Sequence, residues 1–383
     1  MKYGLLYFKE TNNIGDDIQT YAASRFLPRI DYMIDREHIE DFVPKNKEYV
    51  STIMNAWYVH DIYNFNFSPY INPLYTSMFF KRFPYTDGIT WGVDYLTNNI
   101  KDCLKEHGPV GCRDMHTKKI MDEIGVESYF SGCMTLTLDR LNNDPREDYI
   151  VTVGLSNEEV KYIKTKTKRK VIVFKQDVAY GSFKDETWDE RKKRVEETLD
   201  LYGKAHMVIT TKLHCSLPCL AIGTPILLLY DTSFPENKDR IGTYTKYLNY
   251  VNRNEFMNTD VDFEKPIKNK NKHLKLRNEL IKKCKSFIEE SNKNKYDVKK
   301  LPEISDYINY TNKSKTSRQY IISNLEKLQA KYVKECSKSE MLFNKYNELE
   351  NKYNALNKEL TEIVNSKGYR ALEKIRKIMK GNK

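Results

Sequence analysis

The stretch Met207–Tyr230, MVITTKLHCSLPCLAIGTPILLLY, constrains the fold more than any other part of the chain. The apolar run Met207–Ile209 reads as a buried strand that ends at Thr210-Thr211. A short helix is predicted from about Leu213 to Ile222, with Gly223 placed as its C-cap. Pro225 then opens a second strand over Ile226–Tyr230. Strand, turn, helix and strand make one α/β unit. In such sheets ligands bind beyond the carboxyl ends of the strands, where helix N-termini point at them. Lys212 and His214 fall at that turn. A helix N-terminus favours anions, a Lys adds charge, and a His adds a group that titrates near neutral pH. A His at a helix start also serves as a surface or capping residue, so this stretch alone leaves both readings open. Cys215 and Cys219 read as core residues of the helix.

With 383 residues, 40% of them hydrophobic, the chain can build more than one sizeable core. Its 7 Cys show no CxxC pairing, which argues against a zinc site. The odd count, and an N-terminus that runs straight into a strand, predict a reducing, cytoplasmic setting. No apolar run reaches membrane-span length. The net charge of +11 is concentrated after about Lys265, which suits an anionic surface. No zinc-finger, aromatic or helix-turn-helix signature accompanies it, so nucleic acid is not expected as a partner.

In chain order, a strand over Tyr3–Phe8 runs into Asn12-Asn13-Ile14-Gly15-Asp16-Asp17. Gly15 permits a tight turn and Asp16 is placed to cap a helix reaching Phe26. Strands follow at Ile30–Ile34 and Thr52–Trp57, where Trp57 either stacks on a sugar or packs in the core. Tyr58–Tyr85, with Pro69, Pro73 and Pro84, reads as a long irregular excursion. Helices over about Tyr95–Lys105 and Met115–Ile124 flank Gly111-Cys112-Arg113-Asp114. Arg113 at such a strand-to-helix turn can fork onto a carboxylate or phosphate, or lie beside a capping Asp114. A strand over Val126–Phe130 ends at Ser131-Gly132-Cys133. Polar Leu141–Asp148 marks a boundary. Strands at Tyr149–Val153 and Val171–Phe174 and helices over Asn157–Thr165 and Lys184–Tyr202 then lead into Met207–Tyr230. The loop Ser233–Arg240 opens on the same side, and offers Glu236 as an acid or base and Lys238 or Arg240 as phosphate contacts.

Three stretches together resemble the polysaccharide pyruvyl transferase family over roughly residues 1–255. They are Asn13-Ile14-Gly15-Asp16-Asp17 with Gln19 and Ala22 behind it, Cys112-Arg113-Asp114 with Ser131-Gly132-Cys133, and Lys212-Leu213-His214 with Gly223-Thr224-Pro225. Members of that family move the pyruvyl group of phosphoenolpyruvate onto two hydroxyls of a sugar as a cyclic ketal. The family more often has Arg where Lys212 stands, and Lys cannot grip a carboxylate bidentately. The resemblance implies an α/β fold of two Rossmann-like domains in a GT-B-like arrangement, 1–145 on the acceptor side and 146–290 on the donor side. It implies that Asn13, Gly15, Asp16 and Asp17 line the cleft, with Asp16 or Asp17 orienting or deprotonating an acceptor hydroxyl. Arg113 and Lys212 would bind phosphoenolpyruvate, and His214 would serve as general acid and base. Phosphoenolpyruvate is then the donor substrate, the acceptor is a sugar or lipid-linked oligosaccharide, and no cofactor or metal is required. A nucleotide-sugar glycosyltransferase of the same broad fold is the alternative enzyme. A non-catalytic membrane-associated scaffold is the alternative from outside catalysis.

The tail reads as separate modules. A helix over Leu274–Glu290 is expected to pack back on the core. Residues 291–316, rich in Lys and Asn, read as a linker. Residues 317–366 carry a heptad seam through Leu325, Leu328, Tyr332, Leu342, Tyr346, Leu349, Tyr353, Leu356, Leu360 and Ile363, which predicts a C-terminal helical coiled coil and a homo-oligomer. In 367–383, Tyr369, Leu372, Ile375, Ile378 and Met379 share a face flanked by Arg and Lys. That suits a short amphipathic helix on an anionic membrane surface, or else a frayed cationic terminus. A peripheral place on the inner face of the membrane is the corresponding expectation.

Overall fold

The computed structural model describes residues 1–58, 66–80, 98–179, 182–233, 237–315, 324, 327–328 and 342–366. The protein is mixed α/β with parallel sheets. The first sheet comprises β1 (Lys2–Tyr7), β2 (Tyr32–Asp35), β3 (Val50–Ile53) and, past the two-residue β4 (Trp57–Tyr58), β5 (Ile71–Leu74). Its order is β2-β1-β3-β5, every pair parallel. Helix α1 (Ile14–Ser24) joins β1 to β2. β4 pairs with β6 (Phe79–Phe80). Helix α2 (Asn98–His107) precedes β7 (Val110–Cys112), and α3 (Met115–Glu123) connects β7 to its parallel partner β8 (Ser128–Phe130).

The second sheet comprises β9 (Tyr149–Val153), β10 (Lys170–Phe174), β11 (Met207–Thr210), β12 (Ile226–Tyr230) and β13 (Asn249–Asn252). It is parallel throughout, in the order β10-β9-β11-β12-β13. Helices α4 (Asn157–Lys166), α5 (Trp188–Lys204) and α6 (Leu213–Ala221) make the crossovers, and α7 (Asn237–Arg240) follows β12. Strands β9 and β11 are buried along their whole length, as a parallel sheet covered on both faces requires. Capping boxes at Ser156/Glu159 and Thr187/Glu190 fix the starts of α4 and α5. Gly125 and Gly223, at φ +68° and +78°, follow the ends of α3 and α6, where only a residue without Cβ adopts that geometry cheaply.

Both strand orders reverse direction next to their first strand, between β1 and β3 and between β9 and β11. Crevices open at the carboxyl ends of strands at such switch points. Here the two crevices meet. Asn13, just before α1, forms an antiparallel bridge with Asp177, just beyond β10. The Ile14 amide donates to the Gln176 carbonyl (3.0 Å), and the Val178 amide to the Asn12 carbonyl (2.9 Å). Behind them one apolar core runs through both halves. Leu5, Ile18, Tyr21 and Ile53 pack with Met134, Leu136, Val151, Val153, Leu199 and Leu217. Burial of that continuous core fixes the two sheets against each other. An ionic staple adds to it: fully buried Asp17 on α1 pairs with Arg191 (3.2 Å) and Arg194 (2.9 Å) on α5. Arg191 also donates to the carbonyls of Phe8 and Lys9.

Two expectations from composition fail here. Pro73 does not make Tyr58–Tyr85 irregular throughout, because Ile71–Leu74 is an edge strand with Pro73 opposite Thr52. An edge strand tolerates the missing amide. Residues 59–65 and 81–85 of that stretch lie outside the described residues. Nor is 291–316 an extended linker. Helix α8 (Leu274–Lys293) returns to the first sheet, where the Tyr3 hydroxyl donates to Asn292 (2.7 Å). The chain then folds into helix α9 (304–315). Leu301 and Tyr307 are buried against Tyr70, the Tyr70 hydroxyl donates to the Pro302 carbonyl, and that of Tyr307 to the Glu40 carbonyl. The Lys- and Asn-rich composition of 291–316 hid the few apolar residues that dock it.

Helix α10 (Leu342–Ser366) carries part of the predicted heptad seam, with Leu349, Tyr353 and Leu356 half-buried. Leu325, Tyr332 and the whole of 367–383 lie outside the described residues. Among the described residues no helix is long and apolar enough to cross a membrane.

The docking of α9 is testable by substitution. Tyr307→Ala is expected to lower unfolding free energy in urea by about 3 kcal/mol, as for other buried aromatics. A change near zero would mark 291–316 as the linker its composition suggests.

Candidate active site

The site is built from the turn that follows β1. Asn13, extended at φ −123°, caps α1, its side chain accepting from the Gly15 amide at 2.7 Å. The cap is therefore Asn13 and not Asp16. Gly15 then lies against His214 of the other half. A Cβ at Gly15 would stand 2.9 Å from His214 Cβ and 2.8 Å from Asn13 Oδ1, so only glycine allows this approach. One helical turn on, at i+4 and hence on the same face, Gln19 reaches the same imidazole. Its Nε2 lies 3.3 Å from His214 Nδ1, and its Oε1 accepts from Arg113 Nη1 at 3.3 Å. Asn55, beyond β3, donates to the Gln19 carbonyl at 3.0 Å.

Arg113 follows β7 and is fully buried. Its guanidinium lies 4.4 Å from the ring centroid of Phe79 and 5.5 Å from that of Trp57. Its Nε and Nη2, the two donors on one edge of the fork, have no hydrogen-bond partner among the described residues. Asp114 Oδ2 stands 3.6 Å from Nε, beyond hydrogen-bond reach, while the side chain of Asp114 caps α3. Burial pushes the Asp114 carboxyl up, against the pull of Arg113. The Tyr244 hydroxyl donates to the Arg113 carbonyl and so holds this turn from the second half.

His214 begins α6 with ψ 17°, off the helical value. Its carbonyl accepts from Gln176 Nε2 at 3.1 Å. Its Nε2 is buried and has no partner among the described residues. Burial, and then Arg113, lower the imidazole to about 3, with Arg240 and Arg36 acting the same way and Asp16 opposing. The residue keeps some exposure through its outer atoms, but the ring nitrogen is out of water. His214 is therefore neutral across the physiological range.

The remaining predicted residues divide by position. Asp16 accepts from Thr11 (2.7 Å) and Arg36 (3.1 Å) at the edge of the site. Buried Arg36, after β2, keeps Nη2 without a partner among the described residues. Asp17 points the other way, into the pair with Arg191 and Arg194, where burial raises its carboxyl despite both cations. It is not brought to His214. Lys212 ends in an ion pair with Asp177 (2.7 Å) at the partly exposed rim. Arg240 places its guanidinium 5.6 Å from the Trp57 ring, on α7, whose Asp239 pairs with Lys119 of α3. Lys238 is exposed, and Glu236 lies outside the described residues. Gln19 and Arg36 were not singled out as site residues from the sequence, and of the two Gln19 carried a readable signal, its i+4 spacing from Gly15. Among the described residues no group of three or more His, Cys, Asp or Glu could hold a metal ion.

These geometries set two expectations. In Gly15→Ala the methyl group collides with His214 and Asn13, which is expected to cost about 1–3 kcal/mol in urea unfolding; an unchanged midpoint would show that the approach is loose. Because His214 is lowered to about 3 in the folded state and is near 6.5 unfolded, the unfolded chain takes up a proton first as pH falls. Its contribution to stability is full above about pH 6.5 and declines toward pH 3. His214→Gln is expected to flatten that acid-side slope in urea titrations at several pH values, and an unaltered slope would contradict the burial of the ring.

The chain matches the family model described as Polysaccharide pyruvyl transferase over residues 13–233, more than half its length. That span starts at Asn13 and includes Gly15, Gln19, Arg113, Lys212 and His214. Among curated proteins none matches. Of solved structures, a functionally uncharacterized protein from Klebsiella pneumoniae subsp. pneumoniae NTUH-K2044 aligns at 13% identity and a TM-score of 0.39, covering 66% of this chain and 93% of that one. The chain belongs to the polysaccharide pyruvyl transferase family, and the residues that meet between its two sheets fall within the matched span.

Proposed function

We propose that the protein transfers the pyruvyl group of phosphoenolpyruvate to two hydroxyls of a surface-glycan sugar, at the site where Arg113, Gln19 and His214 meet. The observation that carries this reading is the set of buried nitrogens without a hydrogen-bond partner among the described residues: Arg113 Nη2, Arg113 Nε with Asp114 at 3.6 Å, and His214 Nε2. Buried donors left unpaired cost free energy, and a bound carboxylate or phosphate would satisfy them. Two donors on one edge of Arg113 fit a carboxylate bidentately. The N-terminus of α6 and the Arg36 and Arg240 cations favour the phosphate. Lys212 reaches the same rim once it exchanges Asp177 for a ligand oxygen.

The reaction balances with the groups present. A proton adds to the methylene carbon of phosphoenolpyruvate, and the first sugar hydroxyl adds at C2 and gives up its proton. The C2–O bond to phosphate breaks, and the second hydroxyl closes the ketal, its proton leaving with the departing phosphate. Burial is the largest cause that holds His214 low, and the negative charges of the donor would oppose only the part that Arg113, Arg240 and Arg36 add, in the direction that favours proton transfer. Asp16, on the acceptor side and paired with Arg36, is positioned to orient a hydroxyl. Asp17 serves the fold. Trp57 packs against Phe79, 4.3 Å between ring centroids, with the Arg113 and Arg240 guanidiniums 5.5 and 5.6 Å from its ring, which favours core packing over a sugar platform.

A GT-B-like placement of the two sheets suits an acceptor entering between them. The seam on α10 supports a homo-oligomer. The basic segment 367–383 supports a peripheral place on an anionic membrane, where a lipid-linked acceptor would be presented.

Thermal stabilisation tests the donor without an acceptor. Phosphoenolpyruvate is expected to raise the melting temperature of the wild type and not that of Arg113→Ala, whereas nucleotide sugars leave both unchanged. A shift with a nucleotide sugar alone would replace pyruvyl transfer with glycosyl transfer. His214→Ala is expected to retain the donor shift and to lose turnover by about 100-fold or more; full turnover would remove His214 from the chemistry.

A further inference from the structure

His214 makes one ring contact that the transfer chemistry alone does not explain, and it comes from Gln19. An amide side chain has one accepting and one donating end, and which end is which follows from its partners. Arg113 can only donate. The end of Gln19 that meets Arg113 Nη1 is therefore its oxygen, and the end 3.3 Å from His214 Nδ1 is its NH2. That NH2 needs an acceptor, so Nδ1 carries no proton. A neutral imidazole then has its proton on Nε2, the buried atom without a hydrogen-bond partner among the described residues.

The chain cannot easily rearrange. Gln19 is buried, its carbonyl is held by Asn55, and α1 is fixed by the Gly15 approach to the same histidine. Turning the amide would point its NH2 at a guanidinium. Forming an imidazolium would put an N–H at Nδ1 against an N–H of Gln19. Both moves set donor against donor in a buried place, where an unmade hydrogen bond is most costly.

We infer that Gln19, oriented by Arg113, is a positioning residue that holds His214 as the Nε2–H tautomer and opposes its protonation in the free enzyme. The consequence for the proposed function, on which this role builds, is directional. His214 meets the donor as a hydrogen-bond donor from Nε2. It becomes an acid only when the Arg113–Gln19 contact opens and the amide turns its oxygen to Nδ1. The other charged groups around the ring are Arg113 beyond β7, Asp16 on α1, Arg36 beyond β2, Arg240 on α7, and the Lys212–Asp177 pair at the rim. Of these Asp16 and Asp177 carry negative charge, but among the described residues it is Gln19 that makes the hydrogen-bond contact with Nδ1.

The test reads the ring itself. The two nitrogens of His214 are observed by 15N NMR of the histidine-labelled full chain, with His214→Asn identifying its signals among the 7 histidines. In the wild type a pyridine-type Nδ1 and a pyrrole-type Nε2 are expected. In Gln19→Glu, whose carboxylate can only accept, Nδ1 is expected to become protonated and the ring to titrate at higher pH than in the wild type. In Gln19→Met, which does neither, the two tautomers are expected to mix. A protonated Nδ1 in the wild type would overturn the proposal without any variant. So would variants that melt cooperatively yet keep the wild-type pattern and titration. Phosphoenolpyruvate is absent from these samples. A wrong donor therefore leaves the tautomer standing, and a wrong tautomer leaves the donor assignment standing.

Discussion

Everything at this site depends on Gly15 lying against His214. The contact joins the turn after β1 in one sheet to the start of α6 in the other, and it exists only because position 15 has no Cβ. Each sheet by itself offers what any parallel sheet offers, a crevice at a switch point with a helix N-terminus beside it. Packing the two switch points together turns two generic crevices into one enclosed polar site. The shared apolar core supplies the energy for that, and the Asn13–Asp177 bridge sets the register.

Buried charge is used in two ways in this molecule. Asp17 pairs with Arg191 and Arg194, and Arg191 donates to the Phe8 carbonyl, so they hold the halves together. A buried pair of this kind gives little net stability but is costly to break. Arg113 and Arg36 differ in place: they lie around His214, each with a donor that no described residue meets, while Arg191 and Arg194 keep such a donor, Nε, at the α1–α5 pair. Burial first, and then the field of Arg113 with Arg36 in the same sense, keeps His214 neutral. Buried guanidinium donors so arranged suit an anion.

Much of this was legible in the sequence, for local reasons. Met207–Tyr230 alternates strand, helix and strand so clearly that both strands, the helix and the glycine after it fall where the pattern puts them. Arg113 and His214 could be singled out because each sits where a strand meets a helix. What could not be read was orientation. Asp16 and Asp17 are neighbours in one helical turn, and only the fold shows that one faces Arg36 and the other faces α5. Lys212 looked like a free cation at a helix start, but Asp177 is its partner in space. Ile71–Leu74 was hidden by Pro73, and 301–315 by the Lys- and Asn-rich composition of 291–316 as a whole. In both cases composition outweighed the few positions that pack. Glu236 and the basic segment 367–383 fall outside the described residues, so their readings rest on sequence alone.

The most direct test of the account is to follow phosphorus and carbon together. The full-length protein is incubated with phosphoenolpyruvate and a panel of mono- and disaccharides, free and lipid-linked. Phosphate release is read by 31P NMR, and the methyl group of a new pyruvate ketal by 1H NMR. The account predicts phosphate and ketal in equal amounts with at least one acceptor, and neither in Arg113→Ala. Release of phosphate without ketal in every case, or ketal formation that survives Arg113→Ala, would contradict it.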